Sequence, residues 1–335
     1  MQVATLSTPT SSCSPRKSLA SRFLSRISFR TCRLAKSSSA LSDESHAMRP
    51  TRLVVIGASG FLGEEITALA DADVAIQCLA LTRRGSRVAG LESIAVGDLS
   101  EDGAVSGLEQ ALSEFQADGV INTAGSSSWS DFRSVRQAAL ISRSVLAASR
   151  GRPLVHVSSV SAAGANAGVH PTAVYARSKL EAEQVVRRAA LRWPGRLAIV
   201  RLGQLGPSSV RSGGWADHKS VLRQHVTFDG GHVRVALPDA VEVTPVDQAA
   251  AHILALFAQP ELDLMQTVST VGLERKALEA AANGLGLKLA CEDARAIQTD
   301  PPNGIEGIEV RLPAPPNYAE ILLRRLRDDA TDAKI

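Results

Sequence analysis

Residues 53–63 constrain this chain more than any other stretch: Leu53-Val54-Val55-Ile56 runs straight into Gly57-Ala58-Ser59-Gly60-Phe61-Leu62-Gly63. A short β-branched run ends in three evenly spaced glycines, and an Ala/Leu-rich helical stretch follows at once. Each glycine has a steric reason to be there. Gly57 permits the tight turn, Gly60 lets the backbone approach a pyrophosphate, and Gly63 lets helix and strand pack closely. The helix N-terminus then offers unpaired N–H groups and a positive dipole end to the phosphates. Gly57, Ser59, Gly60, Phe61, Leu62 and Gly63 are therefore the expected phosphate-binding residues. A glycine triplet alone often only makes turns. The strand before it and the helix after it are what point to a dinucleotide.

The pattern that follows is that of an α/β protein with a doubly wound parallel sheet. Strands are expected at Leu53–Ile56, Val74–Leu81, Ser93–Val96, Gly119–Asn122, Leu154–Ser158 and Leu197–Leu202. Helices are expected between them at Leu62–Ala70, Ala104–Phe115, Phe132–Ser149 and Val174–Trp193. Residues 207–240 are rich in Gly, Ser and His and have little periodicity. Beyond them the pattern predicts a helix at Val246–Phe257, a strand at Met265–Val271, a helix at Glu274–Leu285 and a charged amphipathic helix at Tyr318–Arg327. Residues 49–206 thus read as a Rossmann-like dinucleotide-binding core. Residues 207–335 read as a small substrate lobe together with the remaining core elements of the same domain.

The second strand ends Leu81-Thr82-Arg83-Arg84-Gly85. An NAD-selective site usually has an acidic residue there for the ribose hydroxyls, and this chain has none. Arg83 and Arg84 could instead hold a 2′-phosphate by paired, charge-assisted hydrogen bonds, which favours NADP(H) over NAD(H). Asp98, after the third strand, could accept from an adenine amino group or serve as the N-cap of the next helix. Asn122-Thr123-Ala124-Gly125 closes the fourth strand with small residues, and Thr123 and Ala124 are placed to let ribose and nicotinamide pass close to the backbone.

Tyr175 and Lys179, in Tyr175-Ala176-Arg177-Ser178-Lys179, share one face of an expected helix. A free phenol titrates at about pH 10, too high for an efficient proton relay at neutral pH, and an ammonium alongside favours the phenolate. The same lysine could hold a nicotinamide ribose. Ser159, 16 positions upstream at the end of Val157-Ser158-Ser159, lies where open α/β sheets bind ligands. Its hydroxyl could orient a carbonyl against the phenol. YxxxK spacing is common by itself; its weight comes from following the glycine loop and the serine-tipped strand in that order.

In these segments the chain resembles the extended or atypical short-chain dehydrogenase/reductases, the NAD-dependent epimerase/dehydratase-like family. GASGFLG (57–63), NTAG (122–125), VSSVSAAG (157–164), YARSK (175–179), RLGQLGP (201–207) and VTPVDQAAAHIL (243–254) carry the resemblance. It implies Ser159 as the catalytic hydroxyl, Tyr175 as general acid/base and Lys179 as its electrostatic partner and ribose ligand, with hydride chemistry left to the nicotinamide. Gly213-Gly214-Trp215 and Thr244-Pro245-Val246-Asp247 are similar to segments of the thioester-reductase-like branch. One departure concerns the helix position that often carries a structural Asn in this family, which here corresponds to Gln137.

Composition bounds the remaining options. Hydrophobic residues make up 44% but aromatics only 4%, so Ala, Val and Leu carry the packing. The formal charge of +3 divides unevenly: residues 1–47 hold seven basic and two acidic side chains, leaving 30 basic against 32 acidic in the remainder. A nearly neutral body gives no bulk attraction to nucleic acid or anionic lipid, and no apolar run approaches the ~20 residues of a membrane span. Cys13, Cys32, Cys78 and Cys291 show no metal or disulfide spacing. The first 42 residues lack any acid and are rich in Ser, Thr and Arg. They read as an organellar leader, plastid over mitochondrion, spanning residues 1–48; if translation starts at Met48 the protein is cytoplasmic.

Three functions remain: an NADP(H)-dependent carbonyl/alcohol oxidoreductase, a sugar-nucleotide epimerase or dehydratase that retains its cofactor, and a catalytically silent dinucleotide-binding scaffold. Arg201, His156, Asp247 and the lobe residues Trp215, His218, His225 and His232 each admit a structural or a ligand-facing role. Arg211, Lys219, Arg223 and Arg234 are cations available to a sugar-nucleotide phosphate.

Overall fold

The computed structural model describes residues 49–125, 131–164, 173–211, 226–229, 232–235, 240–241, 243–259, 264–270, 273–291, 308–312 and 315–332. The leader proposed for residues 1–48, together with Trp215, His218, Lys219, Arg223 and His225, lies outside them, as do the side chains of His232 and Arg234.

The chain begins with β1 (Thr51–Ile56), α1 (Phe61–Ala72), β2 (Ile76–Thr82), β3 (Ile94–Ala95), α2 (Ala104–Glu114), β4 (Gly119–Asn122) and α3 (Arg133–Ser149). Then come β5 (Leu154–Ser159), a single turn α4 (Ser161–Gly164), α5 (Ala173–Ala190), β6 (Leu197–Leu202) and β7 (Gln204–Gly206). The C-terminal part supplies β8 (Val226–Asp229), β9 (His232–Val235), β10 (Ala240–Val241), β11 (Val243–Pro245) and α6 (Val246–Ala255). It continues with β12 (Met265–Thr270), β13 (Leu273–Glu274), α7 (Arg275–Gly284), β14 (Lys288–Cys291), β15 (Ile308–Leu312) and α8 (Tyr318–Asp332).

Eight strands form one parallel sheet in the order β15-β12-β6-β5-β4-β1-β2-β3. Its strands are nearly continuous apolar runs because both faces are covered. On one side Leu53 and Val55 of β1 pack with Leu62 and Ile66 of α1 and with Val246, Ala250 and Ile253 of α6. On the other side Val54, Ile56, Val120 and Ile199 pack with Leu108 and Leu112 of α2, Val145 and Leu146 of α3 and Val186 of α5. A third cluster joins Val243 to Leu278 and Ala282 of α7 and to Tyr318, Leu322 and Leu326 of α8.

The chain order reverses between β1 and β4, which are neighbours in space. The loops after them diverge to opposite faces and leave a crevice at their carboxyl ends, where open sheets of this kind bind ligands.

The structure departs from the sequence expectations at several edges. Val74 is 98% exposed and precedes β2, which starts at Ile76. Helix α5 stops at Ala190, short of Trp193, and α8 runs on to Asp332. Strand β15 was not expected from residues 308–312; it pairs in parallel with β12 and extends the sheet by one strand. The stretch without periodicity hides β8 and β9, an antiparallel pair joined by β14. Strands of four residues carry too few alternations to register as period-two patterns. No helix among the described residues is long and apolar enough to cross a membrane.

Candidate active site

The glycine loop is built as its spacing requires. Gly57 has φ +80°, and a Cβ there would lie 2.7 Å from Ala124 N and 2.8 Å from Thr123 Oγ1. A side chain is thus excluded both by the left-handed backbone and by the β4 turn behind it. A Cβ on Gly63 would overlap Gly57 O, so this glycine sets how closely α1 crosses the loop. Gly60 occupies the N-cap of α1 with no side-chain cap. The first amides of α1 therefore lack a side-chain partner there, which is the arrangement that accepts phosphate oxygens. Ser59 and Gly60 are exposed, Phe61 half-buried, and Leu62 buried in the core. Ser59, Gly60 and Phe61 line the loop by position, while Leu62 can serve a ligand only through its backbone. A glycine-walled turn facing an open helix end fits a dinucleotide pyrophosphate.

Thr123 ties the β4 turn to this loop, its hydroxyl donating to Ile56 O at 2.9 Å and Gly57 O at 3.1 Å. Asn122 is fully buried; its Oδ1 accepts from Ala124 N at 3.1 Å and its Nδ2 lies 3.0 Å from His156 Nδ1. With Asn122 Nδ2 as donor, His156 Nδ1 accepts and Nε2 carries the proton. Burial, reinforced by the charge of Lys179, pushes the imidazole down to about 3, so it is neutral. His156 is a core histidine satisfied at one nitrogen only; Nε2 has no hydrogen-bond partner among the described residues.

At the tip of β2, Thr82 Oγ1 accepts from Gly85 N at 2.9 Å and Ser86 N at 3.3 Å. This fixes the turn that carries Arg83 and Arg84, both exposed. Arg83 Nη1 is 3.9 Å from Asp98 Oδ2. Asp98 Oδ1 accepts from the Ser100 hydroxyl at 2.7 Å and from Ser100 N at 2.9 Å, contacts that hold the carboxyl below its usual range. Asp98 therefore closes a local turn, while α2 is capped by Gly103. The reading of Asp98 as N-cap of the next helix is thus not met: that position is Gly103, and the bonds Asp98 makes to Ser100 stay within its own turn.

Ser159 ends β5 at 9% exposure, with its Oγ accepting from Ser161 N at 3.3 Å. Tyr175, half-buried, sits near the start of α5, and Lys179 Nζ lies 5.6 Å from the centre of its ring. A Cβ on Gly125 would be 3.2 Å from the same Nζ. Lys179 thus reaches from α5 to the end of β4, across the crevice from the glycine loop. Of the sequence-predicted groups, Tyr175 and Lys179 meet on one helix face, and Lys179 Nζ reaches Gly125 in the β4 turn whose Thr123 and Ala124 lie against Gly57. Helices α3 and α5 pack here through small buried residues, Ser134, Ala138 and Ser142 on one and Ser178 and Ala182 on the other. Gln137 is exposed on α3 and has no place in this interface.

Residues 53–212 match the model of the NAD dependent epimerase/dehydratase family. No curated protein matches the sequence. Among solved structures, UDP-glucose 4-epimerase from Brucella ovis in complex with NAD is similar at 18% identity and TM-score 0.58, over 82% of this chain and 92% of that one. RMD from Pseudomonas aeruginosa complexed with NADPH is similar at 19% identity and TM-score 0.58, over 84% and 99%. A thiolation-reductase di-domain from an archaeal non-ribosomal peptide synthetase is similar at 19% identity and TM-score 0.56, over 72% of this chain and 61% of that one. The epimerase/dehydratase fold is thus shared with both epimerases and reductases.

Three groups around the candidate site, Ser158, Glu183 and Glu65, were not singled out from sequence. Glu183 of α5 binds Arg201, a residue open to two readings in the sequence and here 5% exposed, through two contacts: Nε–Oε1 at 2.8 Å and Nη2–Oε2 at 2.6 Å. Ser158 donates to the same Glu183 Oε1 at 2.6 Å. Glu65 of α1 accepts from Ser208 Oγ at 3.1 Å and Arg211 Nη1 at 2.9 Å. Burial raises its carboxyl above the usual range, against the opposing pull of Arg211. Asp247 takes Ser209 N at 2.8 Å and also the Ser209 hydroxyl, contacts that fit the structural one of its two readings. The one available signal was spacing: Glu183 follows Lys179 by one helical turn on the face that α5 buries.

Proposed function

We propose that residues 49–335 form an NADP(H)-dependent oxidoreductase that interconverts a carbonyl and an alcohol, with Tyr175, Lys179 and Ser159 as the catalytic residues. The observation that carries this reading is the approach of Lys179 Nζ to both the Tyr175 ring and the Gly125 backbone at the sheet's switch point. A bound nicotinamide supplies or accepts the hydride. In the direction of reduction, the Ser159 hydroxyl donates to the carbonyl oxygen and fixes its orientation. As negative charge develops on that oxygen, Tyr175 Oη gives it a proton. The Lys179 ammonium stabilises the phenolate left behind and holds the ribose hydroxyls. Gly57, Ser59, Gly60, Phe61, Leu62 and Gly63 receive the pyrophosphate, chiefly through backbone N–H groups, and Thr123 and Ala124 wall the passage to the nicotinamide. Arg83 and Arg84 take the 2′-phosphate, and Asp98 stands beside them at the adenosine end. Relatives of this fold have been solved with NAD and with NADPH; the preference for NADP(H) rests on the two arginines.

Epimerases share the fold, and a sugar nucleotide would require cations for its diphosphate. Arg211, one of the cations available for it in the sequence, is held by Glu65. The side chains of the other three, Lys219, Arg223 and Arg234, lie outside the described residues.

The test is net NADPH oxidation with a panel of aldehydes, ketones and thioesters, run on the protein and on Tyr175→Phe. Steady consumption that falls by on the order of 10²–10⁴-fold in the variant, with NADPH affinity nearly unchanged, is expected. Full activity of Tyr175→Phe would overturn the mechanism. Binding of NADPH without net consumption, accompanied by epimerisation of a nucleotide sugar, would replace it with the second reading. Binding with neither activity would leave a silent scaffold.

A further inference from the structure

A buried ion pair lies directly behind the helix that carries Tyr175 and Lys179. Glu183 is 0% and Arg201 5% exposed, and the guanidinium meets both carboxylate oxygens. The network spans three elements. Glu183 belongs to α5, one turn beyond Lys179 and two beyond Tyr175. Arg201 belongs to β6, in register with Ser158 of β5. Ser158 donates to Glu183 and immediately precedes Ser159. Elsewhere α5 buries Ala182, Val186 and other apolar groups, whose contacts are not directional.

We infer that Ser158, Glu183 and Arg201 are positioning residues for catalysis: the network sets the axial register of α5, and so of Tyr175 and Lys179, against Ser159. The inference rests on the proposed Tyr–Lys–Ser chemistry. Its physical basis is directional. Desolvating two charges offsets much of their attraction, so packed apolar side chains of similar volume would stabilise the fold as well or better. What apolar side chains lack is the fork geometry, which admits one relative placement of Glu183 and Arg201. A third contact from Ser158 ties that placement to the strand end where Ser159 sits.

The test separates register from stability. The paired replacement Glu183→Leu with Arg201→Met keeps volume and removes the geometry. We expect its urea unfolding midpoint to equal or exceed that of the wild type, its NADPH dissociation constant to change less than about threefold, and kcat to fall on the order of 10²-fold, the cost of misplacing reacting groups by about 1 Å. Amide exchange across residues 174–180 should speed up while the sheet stays protected. Ser158→Ala leaves the ion pair intact; kcat should fall about tenfold, as for one hydrogen bond to a charged group, without a rise in KM for NADPH. Ser158→Thr, which restores the hydroxyl, should recover most of it. Wild-type kcat in a stably folded paired variant would overturn the inference, and so would wild-type kcat in Ser158→Ala if the paired variant failed to fold. Failure of the underlying chemistry looks different: Tyr175→Phe would then be as active as wild type, or no turnover would occur in any form. In that last case unchanged amide exchange at 174–180 in the paired variant would overturn the register claim independently.

Discussion

Two arginine–carboxylate pairs at opposite ends of the crevice show what burial does to the same chemistry. Arg201 and Glu183, behind α5, have side chains 6% and 0% exposed and meet through two short contacts. Arg83 and Asp98, at the β2 tip, are 65% and 30% exposed and 3.9 Å apart. The first guanidinium is committed to the fold. The second is held loosely, in water, where a 2′-phosphate could take it over with little loss. Both arginines carried an anion-binding reading in the sequence, and only their surroundings distinguish them. Arg211 with Glu65 stands between, 39% and 8% exposed, joining α1 to the segment that follows β7.

The comparison is broken most severely by removing one buried partner. Glu183→Ala should cost about 3–5 kcal/mol in urea denaturation, since it strands the Arg201 charge in the interior. A loss below about 1 kcal/mol would mean that water reaches the pair. At the exposed end the effect should fall on the ligand instead. Arg83→Ala, and more so Arg83→Ala with Arg84→Ala, should raise KM for NADPH about 10- to 100-fold while leaving NADH and stability nearly unchanged. Equal effects on both cofactors would remove the arginines from the 2′-phosphate.

The intermediate pair should reveal itself by pH. Because burial raises the Glu65 carboxyl in the folded protein, the folded state holds that proton more tightly than the unfolded chain does. Its contribution to stability is full below the ordinary value of 4.5 and is lost as pH rises through the raised folded value. Glu65→Gln should therefore gain on the wild type, in urea midpoint, as pH rises from the ordinary value of 4.5 through the raised folded value. A difference that ran the opposite way would mean that Arg211 and Ser208 outweigh burial. The smallest change is expected from Asp98→Asn: within about 0.5 kcal/mol in stability and less than about threefold in the NADPH/NADH preference, as for a solvent-screened pair.

Much of the first half of the molecule was legible because its signals are local. Gly57 and Gly63 are dictated by contacts within a few residues or with the adjacent β4 turn, and the buried strands β1, β4, β5 and β6 read as apolar runs without needing a period-two pattern. The Tyr175–Lys179 contact follows from one helical turn. The C-terminal part was less legible. Strands β8, β9 and β15 are four or five residues long, and β15 owes its place to pairing with β12. Tyr318 illustrates the same limit. It reads as the start of an amphipathic helix, yet its hydroxyl donates to Pro207 O at 2.9 Å, and burial pushes its phenol far above the ordinary range.

The sequence by itself determined the glycine loop, the parallel α/β architecture and the spacing of the phenol, the ammonium and the serine, because each depends on backbone geometry or on neighbours one turn away. Tertiary structure alone decided which arginines are buried in ion pairs and which stay exposed, that His156 is a neutral histidine beside Lys179, and that Glu183 anchors α5 to the sheet. Those properties come from burial and from partners tens of residues distant, and solvent exclusion is a property of the packed molecule rather than of any segment of its chain.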